Sequence, residues 1–503
     1  MRKFVSTLII VIFVQFLLFV SQITLFHPTV AQQNSGKLYG VHEFNIAKQT
    51  ARNLPERISL TQQVGAKVIR LPISWHLLEG TKGVTPNWFW DELDADIKAA
   101  EQAGLKVIIE LGQTPCWASS APDKQRCSDP NYTDYLLYPP TNYNDYANAI
   151  AKLVQRYRSR VYAWEIWNEP NLKGNWQPLG SRPSAINDFH NSFINLQGAS
   201  QYANLVKASY NKIKSVDRNA FVLAGAIAAG DVDYVNEMYK AGIKGYFDAL
   251  SIHPYTGTYP VGRTDPKHSR SYGPDECPTG VEPAKLWCFK VGVERIRQAM
   301  QKQNDNKPIW FTEFGFSSTE GWNPNSSGSD REIGWNGSGL NGQAEHLRKA
   351  VELINNWSYV PVACWYQLVD RYARNDREGR FGLFDVNGKI KPSGQAFKQL
   401  MNTTKPVPIS PKGEITTNPP VFSWQAVPGA TSYKLWVNEY SSPNVPGKIN
   451  RDFTPTQANC ASSNTCRVSP RVRFAQASAE WWVTANFSNG SSQISDSARF
   501  VVK

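Results

Sequence analysis

Short apolar runs alternate with amphipathic segments along most of the chain. The apolar runs are LYGVHEF, AKVIRLPI, LKVIIELG, VYAWEIWN, AFVLAGA, FDALSIH, PIWFTEFG and VPVACWYQL. The segments between them, such as ELDADIKAAEQAG, place apolar residues at helical spacing. Eight strands that alternate with helices predict an α/β fold with a parallel sheet. The number eight favours a closed (β/α)8 TIM barrel over an open sheet.

The pattern changes after Asn402. Residues 403–418 are rich in Pro and Thr, which predicts a linker. Short alternating runs then follow, FSWQAV, TSYKLWVNEY, SAEWWVTANF and ARFVVK, without a helical pattern between them. We therefore predict a barrel domain at residues 36–402 and a small all-β sandwich domain at residues 419–503.

The N-terminus has the pattern of a secretory signal. Arg2 and Lys3 precede an apolar stretch, and Thr29-Val30-Ala31 resembles a small-residue cleavage site. Residues 1–31 are thus predicted to be a signal peptide, and the protein to be secreted, periplasmic or on the cell surface. The apolar stretch is long enough for an anchor, so we expect membrane contact only if the signal segment stays uncleaved.

Composition narrows the possible partners. The 503 residues are 41% hydrophobic and 19% charged, which is enough apolar material for a large core. The net charge of +12 is not concentrated in any run of Lys or Arg, so we expect no nucleic-acid partner and read the charge as a solubility feature. The 17 Trp and 21 Tyr suit sugar faces, although most will be core. We expect a monomer.

The seven cysteines fall into three local pairs and one remainder. Export makes disulfides plausible within each pair. The spacings do not resemble a zinc site, so we expect no metal and no other cofactor. Cys364 lies in an apolar run and is predicted to be a buried thiol. The predicted disulfides are Cys116–Cys127, Cys277–Cys288 and Cys460–Cys466.

The fourth run ends in WNEPN and carries two carboxylates. Side chains alternate between the faces of a strand, so Glu165, Trp167 and Glu169 are predicted to point into the barrel. Glu165 would then lie roughly 13 Å below Glu169, inside the barrel, where a charge must be paired. We predict a structural role for Glu165, with Arg70 as a partner, and a functional role for Glu169 at the barrel mouth.

The seventh run ends in the same way. Alternation predicts that Ile309, Phe311 and Glu313 point inward, with Glu313 at the top. Strands four and seven lie nearly opposite each other in a ring of eight. Glu169 and Glu313 would thus face each other across a cleft, and cleavage of a glycosidic bond needs two such carboxylates.

WNEPN on strand four and TEFGF on strand seven resemble motifs of the retaining glycoside hydrolases of clan A, close to families 5 and 39. The resemblance covers roughly residues 39–400 and makes this the catalytic domain. It implies that Glu169 is the acid/base and Glu313 the nucleophile. By the same resemblance, the residues near the sugar or the nucleophile are Arg70, Asn168, His253, Tyr255 and Trp365.

Strand three departs from family 5. Many members of that family carry a His pair near the end of this strand, whereas here the stretch reads ELGQTPCWASS, with Gln113 and Trp117. This is more similar to family 39. The C-terminal region resembles fibronectin type III-like domains. Four tryptophans of this region are either parts of a sugar-binding platform or core residues. These are Trp424, Trp436, Trp481 and Trp482.

Together these features predict an exported retaining hydrolase of β-glycosidic bonds in a polysaccharide or oligosaccharide. Long loops after strands three, four and seven favour endo action, because they carry aromatic candidates for stacking on sugars. A transglycosylase that remodels a polymer would use the same residues, and a non-catalytic carbohydrate-binding surface protein is a further alternative. The loop candidates are Trp117, Trp176, Trp322 and Trp335.

Overall fold

A computed structural model gives the fold of most of the chain. The predicted signal segment lies outside the described residues, as do Trp322 and Trp335. Among the described residues, no helix has the length and apolar character that crossing a membrane requires. The described residues are 37–43, 53–129, 131–177, 196–256, 273–277, 286–318, 339–371, 378–402, 405–427, 430–441, 443–460, 465–487 and 492–503.

The first eight strands form a closed parallel barrel, which confirms the predicted fold class. Each strand pairs with the next in sequence, and β1 closes the ring by pairing with β8. The carboxyl ends of all eight strands therefore meet at one mouth. The strands are β1 Leu38–His42, β2 Val68–Ser74, β3 Lys106–Gly112, β4 Ala163–Ile166, β5 Val222–Ala228, β6 Ala249–His253, β7 Ile309–Phe314 and β8 Val362–Trp365.

Helices surround the barrel and bury their apolar faces against it. Local sequence sets some of their starts: Asn53 caps the first helix through its side chain, and Asn142 caps the helix Tyr143–Tyr157. The α-helices are Leu54–Gln63, Trp75–Leu78, Asn87–Gln102, Tyr143–Tyr157, Gly198–Val216, Val232–Lys240, Phe289–Lys302, Gly339–Asn356 and Pro392–Asn402, and the 3-10 helices are Lys124–Ser128, Asp134–Leu137, Arg158–Arg160 and Glu378–Arg380.

The barrel interior is layered. A lower layer is apolar, whereas the next inward positions on β2, β3 and β4 hold Arg70, Glu110 and Glu165, all buried. A charged layer thus separates the apolar base from the mouth. The lower layer consists of Val68, Ile108, Ala163, Leu223, Ala249, Trp310, Val362 and Cys364.

The C-terminal region is all-β, as predicted. Six strands form one sheet and three form another, with a shared apolar core. Two short strands lie within residues 403–418, so this segment is not simply a linker: β9 pairs with β11, and β10 with β17. The strands are β9 Pro408–Ser410, β10 Gly413–Ile415, β11 Phe422–Gln425, β12 Ala430–Glu439, β13 Val445–Phe453, β14 Thr465–Val468, β15 Ser478–Phe487, β16 Ser492–Ile494 and β17 Ala498–Val502.

Three disulfides join cysteines that are close in sequence. Their separations are 11, 11 and 6 residues, so each one closes a local loop. The remaining thiol, Cys364, is buried in the lower barrel layer. The pairs are Cys116–Cys127, Cys277–Cys288 and Cys460–Cys466.

Candidate active site

The segment after β4 does not follow simple alternation. The strand ends at Ile166, and both Trp167 and Glu169 have left-handed backbone angles, with φ of 68° and 46°. Trp167 therefore packs beside Tyr146 and Trp176 rather than pointing inward as predicted. Glu169 nevertheless reaches the barrel mouth.

Strand β7 also departs from the predicted pattern. Trp310 belongs to the lower interior layer, while Phe311 lies 5.8 Å from Phe289 of a surrounding helix, measured between ring centroids. The prediction that Ile309 and Phe311 point inward is therefore wrong. The pairing of β7 with β8 shifts between Phe311 and Phe314. We attribute the inward direction of Glu313 to this irregularity, because bulges re-aim side chains.

The two carboxylates approach each other at the mouth. One carboxylate oxygen of Glu169, one of Glu313 and a ring nitrogen of His253 all lie within 4.8 Å of one another. His253 Nδ1 is 2.9 Å from Glu169 Oε1, and its Nε2 is 3.1 Å from Thr312 Oγ1. The neutral tautomer with the proton on Nδ1 satisfies both contacts: the ring donates to Glu169 and accepts from Thr312.

Glu313 is buried and surrounded by donors. Arg70 donates to its Oε1 over 2.6 Å, and the Tyr255 hydroxyl donates to its Oε2 over 2.7 Å. Burial by itself raises the pKa of this carboxyl, but the positive charge of the Arg70 guanidinium and the hydrogen bonds from Arg70 and Tyr255 outweigh burial and hold that pKa well below its ordinary value. Glu313 is thus kept ionised, as a nucleophile must be.

Arg70 organises the charged layer. Its side chain is fully buried, with Nε donating to Glu165 over 2.7 Å and one terminal nitrogen donating to Asn168 Oδ1 over 2.9 Å. The predicted pairing with Glu165 is therefore present. The prediction that Arg70 contacts substrate is not supported, because the guanidinium has no exposed surface and already contacts four protein side chains, those of Glu165, Glu313, His42 and Asn168. Arg70 therefore acts through the carboxylates of Glu165 and Glu313 and through Asn168.

Glu110 is a further carboxylate in this layer. It pairs in register with Glu165, and its Oε1 is buried without a hydrogen-bond partner among the described residues. A Cβ added to Gly112 would lie 2.6 Å from this oxygen, so the glycine leaves room for the carboxyl. Burial is the main reason why the pKa of Glu110 is raised to about 8, opposed by Arg70 and reinforced by nearby carboxylates.

Glu110→Gln is expected to change how stability depends on pH. The folded-state pKa of about 8 lies above the ordinary value of 4.5, so this group's stabilising contribution is complete below about pH 4.5 and is lost as pH rises through 8. The difference in unfolding free energy between Glu110→Gln and wild type should therefore rise, in favour of the variant, by up to about 1.4 kcal/mol for each pH unit between pH 5 and 8. Urea unfolding at three pH values measures this, with exposed Glu352→Gln as control. A difference that is constant with pH would contradict the assignment.

Two predicted sugar-contacting tryptophans are core residues instead. Trp365 is fully buried, packs on Phe314 and Phe316, and donates its indole N–H to a backbone carbonyl. On β8 it faces the surrounding helices, because alternation places Cys364 inside. Trp176 is likewise fully buried, between Trp167 and Tyr202.

Trp117 is half-buried after β3. Its indole N–H donates to the backbone carbonyl of Glu79 over 2.7 Å, and its ring meets Trp75 edge-on. The residue is not fully buried, although Lys82 Nζ lies over its ring, 5.0 Å from the centroid, so a substrate contact for Trp117 stays a prediction.

Three residues near the carboxylates were not identified from the sequence. Asn175 donates to Glu169 Oε2 over 3.1 Å, and its backbone carbonyl accepts from Trp167. His42 Nδ1 accepts from Arg70, and burial lowers the pKa of its imidazole to about 4, so it is neutral. Tyr366 lies edge-on to His42 and, rather than Trp365, borders this site. Of these three residues, only His42 could have been proposed from the sequence, because it is a polar residue at the end of a strand.

The cluster contains side chains of the kinds that bind metal ions, but we assign no metal site. Glu313 already accepts from both Arg70 and Tyr255. A cation bound to Glu313 would therefore lie close to a buried guanidinium, and the two positive charges would repel each other.

Comparison with known families agrees with this geometry. The family model described as Cellulase (glycosyl hydrolase family 5) matches residues 31–356. The chain belongs to glycosyl hydrolase family 5. The matched region of this family 5 chain contains both WNEPN and TEFGF, whereas β8 and Tyr366 follow it.

Two curated relatives share less than a quarter of their aligned residues with this chain. The family 5 chain is 24% identical over 326 residues to a beta-xylosidase of Caldicellulosiruptor saccharolyticus, covering 61% of this chain and 55% of that protein. It is 23% identical over 270 residues to a beta-xylosidase of Geobacillus stearothermophilus, covering 52% and 46%. The chain thus spans about half the length of the curated relatives that it matches.

Solved structures share the fold. The GH39 enzyme of Xanthomonas axonopodis pv. citri superposes with a TM-score of 0.50 at 16% identity, covering 87% of this chain and 92% of that one. A monomeric beta-xylosidase of Caulobacter crescentus gives 0.50 at 16% identity, covering 88% and 96%. At this identity the likeness concerns the architecture alone.

Proposed function

We propose that the protein is a retaining hydrolase of β-glycosidic bonds, with Glu169 as acid/base and Glu313 as nucleophile. The observation that carries this proposal is that one carboxylate oxygen of Glu169 and one of Glu313 lie within 4.8 Å of each other. Retaining enzymes hold their carboxyl groups about 5 to 5.5 Å apart, whereas inverting enzymes leave about 6.5 to 9.5 Å for a water molecule. The short separation supports retention.

The surrounding groups suit a double displacement. Glu313, ionised by its donors, attacks the anomeric carbon while Glu169 gives its proton to the departing glycosidic oxygen, and a glycosyl ester forms on Glu313. Water then attacks the same carbon, Glu169 takes the water's proton, and the ester bond to Glu313 breaks. Asn168, oriented by Arg70, is proposed to hydrogen-bond the sugar 2-hydroxyl.

The substrate proposed is a β-linked polysaccharide or oligosaccharide. The beta-xylosidase names of the relatives support a β-linked sugar. The argument for endo action weakens, because Trp176 is core rather than a loop platform. A transglycosylase would use the same residues, and product analysis with an added acceptor sugar separates the two activities. Loss of a catalytic carboxylate, expected of a non-catalytic binding protein, has not occurred.

An extracytoplasmic location fits the three disulfides, since disulfides persist in oxidising compartments. N-terminal sequencing of the mature protein tests whether residues 1–31 are removed. We propose that the enzyme acts as a monomer and carries a fibronectin type III-like C-terminal domain.

Net retention of configuration is the expected stereochemical result. Proton NMR of the first-formed anomer from an aryl β-glycoside should show the β product before mutarotation. Aryl β-xyloside, β-glucoside and β-mannoside form the starting panel. A first product of α configuration would exclude the double displacement and would require a water molecule between the carboxylates.

Glu169→Ala is expected to lose activity on poor leaving groups by about 10²- to 10⁴-fold, the usual contribution of a positioned acid. Azide should restore turnover of activated aryl glycosides, because this anion attacks the glycosyl-enzyme without a general base. The product should be the β-glycosyl azide. Asn175→Ala is the matched variant: it retains the carboxylate and should not respond to azide. Absence of azide rescue in Glu169→Ala would contradict the assignment.

A further inference from the structure

The four tryptophans of the C-terminal domain divide between two environments. Trp424 and Trp481 are fully buried in the core between the sheets. Trp436 and Trp482 alternate with buried neighbours on β12 and β15, so they stand on the outer face of the six-stranded sheet and are partly exposed. Packing in the core therefore does not explain the presence of tryptophan at positions 436 and 482.

The outer pair is arranged as one surface. Trp436 and Trp482 are direct cross-strand partners, with ring centroids 6.4 Å apart and ring planes inclined by only 20°. Trp436 covers Gly447: a Cβ at this glycine would lie 3.1 Å from the indole ring. The absence of a side chain at Gly447 lets the ring approach the sheet.

One carboxamide fixes the orientation of Trp436. Asn438 Oδ1 accepts from the indole N–H over 2.8 Å and from the backbone N–H of Gly447 over 2.8 Å. The polar edge of the ring is thus satisfied within the domain, and the apolar face is what the ring offers to a ligand. Such preorganisation lowers the entropy cost of binding.

The charged side chains that flank Trp436 and Trp482 form ion pairs with one another. Lys434 Nζ lies 3.8 Å from Asp452 Oδ2 on β13, and Arg499 Nε lies 3.2 Å from Glu480 Oε1 between β17 and β15. Neither ion pair leaves an excess charge beside the rings. This face suits a neutral ligand with apolar faces and hydroxyl edges, and it does not suit a polyanion or an anionic membrane.

If Trp436 and Trp482 served only to stabilise the sheet, their contribution to the free energy of unfolding would be small. A cross-strand aromatic pair stabilises a sheet by about 0.2 to 1 kcal/mol, and Tyr or Val would serve as well. Two large rings held at a surface are instead a feature of interaction sites. A pyranose chain has the required chemistry, because its flat C–H faces stack on aromatic rings while its hydroxyls reach the polar rim.

We propose that Trp436 and Trp482 form a binding platform for a neutral glycan chain, which lies across the outer face of the six-stranded sheet. The chain's membership of a glycosyl hydrolase family fits such a ligand. The platform would keep a polymer near the barrel. Binding here does not depend on turnover, so its test remains valid whatever reaction the barrel performs.

Affinity gel electrophoresis of the full chain tests the platform. All variants carry Glu313→Gln to prevent cleavage, and the gels contain soluble xylan, glucomannan, hydroxyethylcellulose or, as an anionic probe, dextran sulfate. At least one neutral polymer should retard the parent, and Trp436→Ala/Trp482→Ala should raise the apparent Kd at least tenfold. Binding in the barrel cleft is common to all variants, so the difference reports the platform.

Two controls separate binding from folding. Trp88→Ala removes an exposed barrel tryptophan and should leave retardation unchanged. Trp436→Tyr/Trp482→Tyr keeps two aromatic faces and should retain most of the affinity, with thermal unfolding used to verify each fold. If no neutral polymer retards the parent, if the alanine variant is retarded equally, or if only dextran sulfate retards it, the proposal is wrong.

Discussion

Glu313→Gln is expected to reduce kcat/KM for an aryl β-glycoside at least 10⁴-fold, which corresponds to about 5 kcal/mol of lost transition-state stabilisation. The amide has nearly the same shape as the carboxylate, but it cannot form the glycosyl ester. The Tyr255 hydroxyl can still donate to the amide oxygen, so the site should stay folded. Steady-state kinetics with purified protein measure the loss.

A fluorosugar that traps the glycosyl-enzyme provides an independent check on this prediction. The label should appear on Glu313 in a peptide digest of the wild-type protein and be absent from the variant. Glu345→Gln, on an exposed helix position, is the control and should leave kinetics unchanged. Label on a different carboxylate, or near-normal turnover by Glu313→Gln, would mean that the nucleophile was misassigned.

Arg70→Met is expected to destabilise the protein by about 3 to 5 kcal/mol, the usual cost of breaking a buried ion pair on one side. Arg70 and Glu165 have no exposed side-chain surface, and Glu313 has little. Without the guanidinium, both carboxylates would remain buried with fewer donors. Turnover should fall as well, because Glu313 and Asn168 lose the group that orients them.

A double-mutant cycle identifies the cause of that loss. Glu165→Gln in the Arg70→Met background removes one unpaired charge and should restore part of the unfolding free energy, with a coupling of about 0.5 to 3 kcal/mol. Arg57→Met is the matched control, since Arg57 is also buried and pairs with Asp96 away from the site. It should lower stability without altering kcat. Wild-type stability in Arg70→Met would contradict the charged-layer interpretation.

Hydrophobic periodicity was sufficient to predict the barrel. The eight apolar runs are the eight barrel strands, because a parallel strand that is covered on both sides needs a continuous apolar run. The position of two glutamates at strand ends was enough to place both at one mouth. Parallel strands all present their carboxyl ends at the same edge, so this inference did not require knowledge of the local backbone.

The backbone around those glutamates was not predictable in the same way. Alternation placed Trp167 and Phe311 inside the barrel, but left-handed angles after β4 turn Trp167 outward, and the register shift after Phe311 lets Glu313 face inward although Phe311 faces outward. Such irregularities depend on how neighbouring strands pair, and a single strand's sequence carries little trace of them. Glu169 and Glu313 nevertheless lie close together at the mouth, although the reasoning about their neighbours failed.

The sequence by itself determined the barrel, the all-β C-terminal domain and the pair of glutamates, since each follows from local periodicity and chain order. Only the tertiary structure decided which aromatic rings are available to a ligand. Trp176 is enclosed by Trp167 and by Tyr202 of a later helix, whereas Trp436 remains on a sheet surface. Exposure of a large ring is set by the elements that pack over it, and those elements come from distant parts of the chain.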